Sequence, residues 1–184
     1  MPLSLSTPPA GEPVTLADAK AQLKLDTSDD DALVTALIIA ARARAEWHTG
    51  RALLTQSWTL WLDAWPPGGV VDIPLPPLRS VTSVTTFARD DAPSLLDPAR
   101  TIVDLAGNRI ALRPTTVLPP LLRNINAIAI AFSAGYGGAS DVPQGLKSAI
   151  LALVAFLYEH RGEAPADLPQ DVAALLAPYR VLKI

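Results

Sequence analysis

The chain has 184 residues, 49% of them hydrophobic and 18% charged, and its 15 Lys and Arg against 18 Asp and Glu leave a formal net charge of −3. A chain this apolar is not a disordered polymer, and the acidic balance argues against a dedicated binder of bare DNA. The lack of any Cys excludes disulfide scaffolds, thiolate metal sites and cysteine nucleophiles.

A charged fraction below the roughly 25% of average soluble domains points to surface that meets another protein. Met1-Pro2-Leu3-Ser4 does not open a signal peptide. The longest apolar run, Ala149 to Tyr158 between Lys147 and Glu159, is short of the ~20 residues of a membrane span.

In chain order, residues 1–14 are rich in Pro, Ser and Gly and read as an extended arm. Thr15 with Asp18 makes a capping box for a short helix of about 16–25, on which Leu16, Ala19 and Leu23 share a face. Asp29-Asp30-Asp31 suits the positive N-terminal end of a longer helix, about 31–48, which Gly50 ends. Leu33, Leu37, Ala40, Ala41 and Arg44 mark one stripe, with Arg42 and Glu46 a weak pair on the wet side.

From about 54 to 134 the period changes from helical to two. Leu54, Trp58, Leu60 and Leu62 alternate with Thr55, Ser57, Thr59 and Trp61. Pro66-Pro67-Gly68-Gly69 is a turn, short strands follow over 70–73 and 81–88, and 90–98 reads as a polar loop. Ala106-Gly107-Asn108 joins a hairpin, and Ile128, Ile130 and Phe132 alternate with alanines.

Helix returns over about 142–160, with Asp141 as cap, Pro143 in the first turn and a wide apolar face of Leu146, Ile150, Leu153, Val154 and Leu157. A last short helix of about 169–176 precedes a tail, 178–184. The predicted fold class is α+β: N- and C-terminal helices packed as a small bundle with an inserted antiparallel β region, residues 15–177 forming one domain.

No residue set predicts catalysis, a metal or a cofactor. His48 and His160 sit near helix ends, where the dipole favours a cation. Ser133-Ala134-Gly135 lacks the first glycine of a nucleophile elbow, and Gly135-Tyr136-Gly137-Gly138 is a strand-to-helix connection without the Gly-Lys-Ser/Thr of a phosphate loop. Asp63, Asp72 and Asp104 lie near strands with nothing to select an acid–base pair. Arg42, Arg44, Arg51, Arg109, Arg113 and Arg123 are scattered. Trp47, Trp58, Trp61 and Trp65 suit core packing or subunit contact more than base stacking.

Several segments in order are familiar. Thr15-Leu16-Ala17-Asp18-Ala19-Lys20-Ala21-Gln22-Leu23, the following Asp29-Asp30-Asp31 and the helix from Leu33 to Ala45 resemble the start of head–tail connector (adaptor) proteins of tailed bacteriophages and gene transfer agents. Trp47-His48-Thr49-Gly50-Arg51, Ile73-Pro74-Leu75-Pro76-Pro77-Leu78, Ala134-Gly135-Tyr136-Gly137, Tyr158-Glu159-His160-Arg161 and Leu175-Leu176-Ala177-Pro178-Tyr179-Arg180 continue the pattern over nearly the whole chain.

The resemblance implies a structural protein, not an enzyme, without cofactor. It implies a ring of about twelve subunits under the portal protein, joined to the next tail-side component (a stopper or tail terminator). Double-stranded DNA passes through its channel without sequence-specific binding. The expected location is the head–tail joint of a virion or phage-like particle, after assembly in the bacterial cytoplasm, with no membrane partner.

A mildly acidic subunit repeated around the channel would repel DNA and let it slide. Trp61, on the polar face of its strand, and Trp65 are expected at a partner interface. So is the apolar tail with Tyr179, Arg180, Val181, Leu182 and Ile184, whose deletion (178–184) is expected to leave a folded subunit unable to assemble. The alternatives are a hydrolase-like or sugar-binding β protein, which needs Asp63, Asp72 or Asp104 converging in a cleft, and an accessory nucleic-acid-binding module around Arg42–Arg51.

Overall fold

Strand alternation builds the larger sheet around one central strand. In the computed structural model, which describes residues 1–119, 121–161 and 167–181, β8 (Ile128–Ala134) lies between β2 (Gln56–Leu62) and β4 (Leu78–Phe87). Ile128, Ile130, Phe132 and Ala134 are buried, and the residues between them are half-buried, as period two requires. Ile130 stands opposite Leu60 on one side and Val84 on the other.

With β1 (Leu3–Thr7) and β5 (Pro93–Leu95) at its edges, the sheet runs β1-β2-β8-β4-β5, all antiparallel. The edge strand β1 comes from the N-terminal arm and pairs Leu3 with Leu60. At the other edge, β5 falls inside the segment expected to be a loop. All three of its residues are exposed, so it has no buried face to impose an alternation.

A second antiparallel sheet has the order β3-β7-β6, from β3 (Val70–Asp72), β6 (Thr101–Asp104) and β7 (Arg109–Leu112). Val71 and Ile110, in register, are buried in it. The expected hairpin turn joins β6 to β7. Its Asn108 takes a left-handed φ of 52°, which asparagine tolerates, and its side-chain oxygen accepts a 2.7 Å bond from the Leu78 amide.

These strands form one compact unit, residues 1–9 with 55–135; the helices form the other, 10–54 with 136–184. In the helical unit, α1 (Leu16–Leu23) starts with the expected reciprocal Thr15–Asp18 capping box. It packs on α2 (Asp31–Thr49) and α3 (Gln144–Glu159), and α3 carries α4 (Gln170–Leu176). The core is Val34, Ile38, Ala41 and Ala45 of α2 against Leu146, Ile150, Leu153 and Val154 of α3, closed by Val172 and Leu176.

Four local expectations are corrected. The buried stripe of α2 is Val34, Ile38, Ala41, Ala45 and Thr49, about one position away from the Leu33–Leu37–Ala40 stripe. Apolar residues surround this helix, so periodicity does not select a phase. Arg42 and Glu46 do not sit on the wet side. They are largely buried, and Arg42 bonds Glu12 and Glu46, each at 2.7 Å.

Asp30 occupies the N-cap position of α2 without a side-chain capping bond; its carboxylate is taken by Tyr158 and Arg161. Asp141 closes a single turn of 3-10 helix, accepting from the Gly138 amide at 2.8 Å, and α3 starts only after Pro143. No helix among the described residues is long and apolar enough to cross a membrane.

Candidate functional site

The second face of the larger sheet is made from small and aromatic residues. Ala129 of β8 stands opposite Trp61 of β2, and its single methyl leaves room for the indole. Trp61 tilts against Phe87 with ring centroids 5.9 Å apart and donates from Nε1 to Ser4 Oγ at 3.2 Å. The Arg123 guanidinium lies 4.2 Å over Phe87 and donates to the Asn126 carbonyl and to Asp91. Trp61 is therefore half-buried in a layer of its own unit. Trp65 is half-buried as well, and its indole N–H, like that of Trp58, is buried without a hydrogen-bond partner.

The described part of the tail lies on the helical unit. Tyr179 packs against the helical core, with its ring over Gly145; a Cβ on that glycine would come 2.7 Å from the phenol oxygen. The Tyr179 carbonyl accepts from Arg51 Nε at 2.5 Å, and the Val181 amide donates to the Thr49 carbonyl at 2.8 Å. Arg180 between them is exposed. Leu182 and Ile184 lie outside the described residues. Tyr179 and Val181 thus make contacts within their own subunit.

Charged groups in both units act as staples. Tyr158 Oη and Arg161 Nη2 both donate to Asp30, the latter at 2.9 Å, and the Arg161 guanidinium lies 4.0 Å over the Tyr158 ring. The Tyr158 bond and then the Arg161 bond hold the Asp30 carboxyl below its ordinary pKa.

Asp72 and Asp104 stand on either side of Arg109 in register. Asp104 accepts from the Gly107 amide at 2.8 Å and from Arg109 Nε at 2.9 Å. These bonds, the amide first, lower its pKa, which suits a permanent anion rather than a general acid. Asp63 is engaged separately, by the Asn126 amide at 2.8 Å. Of the three carboxylates named by the hydrolase alternative, Asp104 is thus tied into the β6–β7 turn and Asp63 holds the Asn126 amide, while Asp72 stays exposed on β3 opposite Arg109. Among the described residues no group of His, Asp and Glu could hold a metal ion. His160 stacks on Phe156 at 4.2 Å, beside the Phe156 carbonyl at the end of α3.

The exposed tryptophan is Trp47, near the C-terminal end of α2, with 83% of its surface open. Strand alternation draws attention to Trp61. The signal for Trp47 is the helical phase of α2, legible only once Val34, Ile38 and Ala41 are known to face inward.

Residues 13–86 match the family described as phage gp6-like head-tail connector protein. Among solved structures, the chain matches a protein in the neck of an empty GTA particle computed with C6 symmetry. The identity is 28%, the TM-score 0.84, and the match covers 100% of this chain and 97% of that one. It also matches a protein in the neck of a native GTA particle computed with C12 symmetry, at 27% identity and a TM-score of 0.81 over the same shares. A third match, in the virion of a native gene transfer agent particle, has 27% identity and a TM-score of 0.79. No curated protein matches the sequence.

Proposed function

From the kinship of this chain with the head–tail connector family, we infer that it works as a structural adaptor at the head–tail joint of a phage or gene transfer agent. Copies close into a ring of about twelve beneath the portal protein, meet a stopper or tail terminator on the other side, and leave a channel for double-stranded DNA. The particle neck is its place of work, and the bacterial cytoplasm is where it assembles.

One observation carries this reading: the likeness to a neck protein extends over the full chain and 97% of that protein at 28% identity, so both units correspond rather than a shared submotif. The C12 and C6 symmetries of the matched necks support a cyclic arrangement of copies. A net charge of −3 fits a subunit that does not grip phosphates. Repeated around a channel, that acidic balance lets DNA slide. Trp61, Trp65 and the tail residues Tyr179, Arg180, Val181, Leu182 and Ile184 are proposed for contacts with neighbouring subunits, the portal or the tail, beside the contacts that Trp61, Tyr179 and Val181 make within their own subunit.

The test is deletion of the gene in the cell that makes the particle. The expected result is packaged heads and free tails that fail to join, restored by the chain supplied in trans. Normal joined particles without the chain would refute the adaptor role.

A further inference from the structure

The residues of α2 that remain exposed are Ala32, Ala36, Ile39, Ala40, Ala43 and Trp47, with Thr35. None is charged. The helix's charged residues, Asp31, Arg42, Arg44 and Glu46, are all partly covered. This inverts the usual rule, by which charged side chains take the wet face and apolar ones the core. The contrast lies within the same unit: the exposed residues of α3 are Gln144 and Glu159.

A helix apolar on both faces is normally buried on both. The inner face of α2 is already filled by Val34, Ile38, Ala41 and Ala45. The outer face extends for four turns, about 22 Å at 1.5 Å per residue. Its alanines let another backbone approach closely, while Ile39 (46% exposed) and Trp47 stand as projecting anchors.

We propose that this outer face of α2, anchored by Ile39 and Trp47, is the contact with the next copy of this chain in the ring. The inference rests on the adaptor reading and names its subunit interface. A second copy is the occupant because the matched neck proteins sit in C12 and C6 arrangements, where each subunit's neighbours around the axis are copies of itself. A head-to-tail ring also needs a second, different surface on the same chain. The segment between β7 and β8 offers exposed Val117, Leu121 and Ile125. A helix face of this size is smaller than the roughly 800 Å² per partner of a stable interface, so α2 forms the buried centre of a wider contact. Trp47 is of the residue type most often dominant there.

The test uses the full-length chain. Ala40→Glu and Trp47→Ser are compared with wild type by thermal melting and by mass measurement of assembly across a concentration series. Both positions are exposed, so the melting curves are expected to coincide with wild type. The subunit concentration for half-assembly is expected to rise at least about tenfold.

Ala43→Cys carries the only thiol in the chain and accepts a benzophenone. Irradiation of the assembled protein, alone or in the particle, is expected to give an adduct of twice the subunit mass. Assembly changed by less than about twofold, or adducts only with a protein of different mass, would overturn the α2 assignment while leaving the adaptor reading standing. A wild-type chain that self-associates neither alone nor in the particle would instead remove the adaptor reading.

Discussion

Arg42→Ala removes a charged group from a nearly dry position. The Arg42 side chain is 12% exposed and bonds Glu12 (22%) and Glu46 (15%), both at 2.7 Å. One bond ties the segment before α1 to α2; the other fixes a carboxylate that also accepts the Leu53 amide at 2.9 Å. Exposed ion pairs contribute about 0.2–1 kcal/mol, whereas stripping one partner from a fully buried pair costs about 3–5 kcal/mol.

The exposures place this triad nearer the buried limit, so the expected loss is about 2–3 kcal/mol, mainly from stranding two carboxylates. Urea unfolding followed by far-UV circular dichroism measures it. A double-mutant cycle with Glu12→Gln is expected to show a coupling of about 1 kcal/mol. A loss of less than about 0.5 kcal/mol, the ordinary effect of a surface change, would refute the claim that this pair anchors the chain ahead of α1.

Three further outcomes follow from named contacts. Gly145→Ala drives a Cβ into the Tyr179 ring and should cost about 1–2 kcal/mol, with a less than additive effect in combination with Tyr179→Ala; full additivity in thermal melts would separate the two residues. Phe132→Ala empties the centre of the larger sheet, where Phe132 is buried, and should cost about 3–5 kcal/mol by chemical denaturation.

The Asp30 carboxyl has a lowered folded-state pKa. Its contribution is therefore complete above the unfolded value near 3.9 and lost as pH falls through the lower folded value. Asp30→Asn should flatten the acid limb of stability below about pH 4; an unchanged limb would remove Asp30 from the acid response.

Strands β2 and β8 were legible because they bury one face each, and Ile128, Ile130 and Phe132 against alanines repeat with period two, whereas β1 and β5 carry too little buried surface to show an alternation. The capping box at Thr15 was legible for a similar local reason: both partners lie within one turn. What the sequence could not convey depends on distant partners. Asp30 reads as a helix cap until Tyr158 and Arg161, more than a hundred positions away, take its carboxylate. Arg42 reads as solvated until Glu12 covers it.

The phase of α2 is degenerate from periodicity because both its faces are apolar, and that degeneracy concealed Trp47. Trp61 was legible as a tryptophan on the polar side of a strand. Its contacts with Phe87 and Ser4 were not, since they join strands far apart in sequence.

An adaptor at the head–tail joint requires copies of this polypeptide to encircle the portal exit. The direct measurement is the native mass of the complex formed when purified chain is added to the purified portal assembly of its own particle. The predicted result is a single species heavier than the portal by about twelve subunits. A portal that gains no mass, or takes up scattered numbers of subunits without saturating, would contradict it.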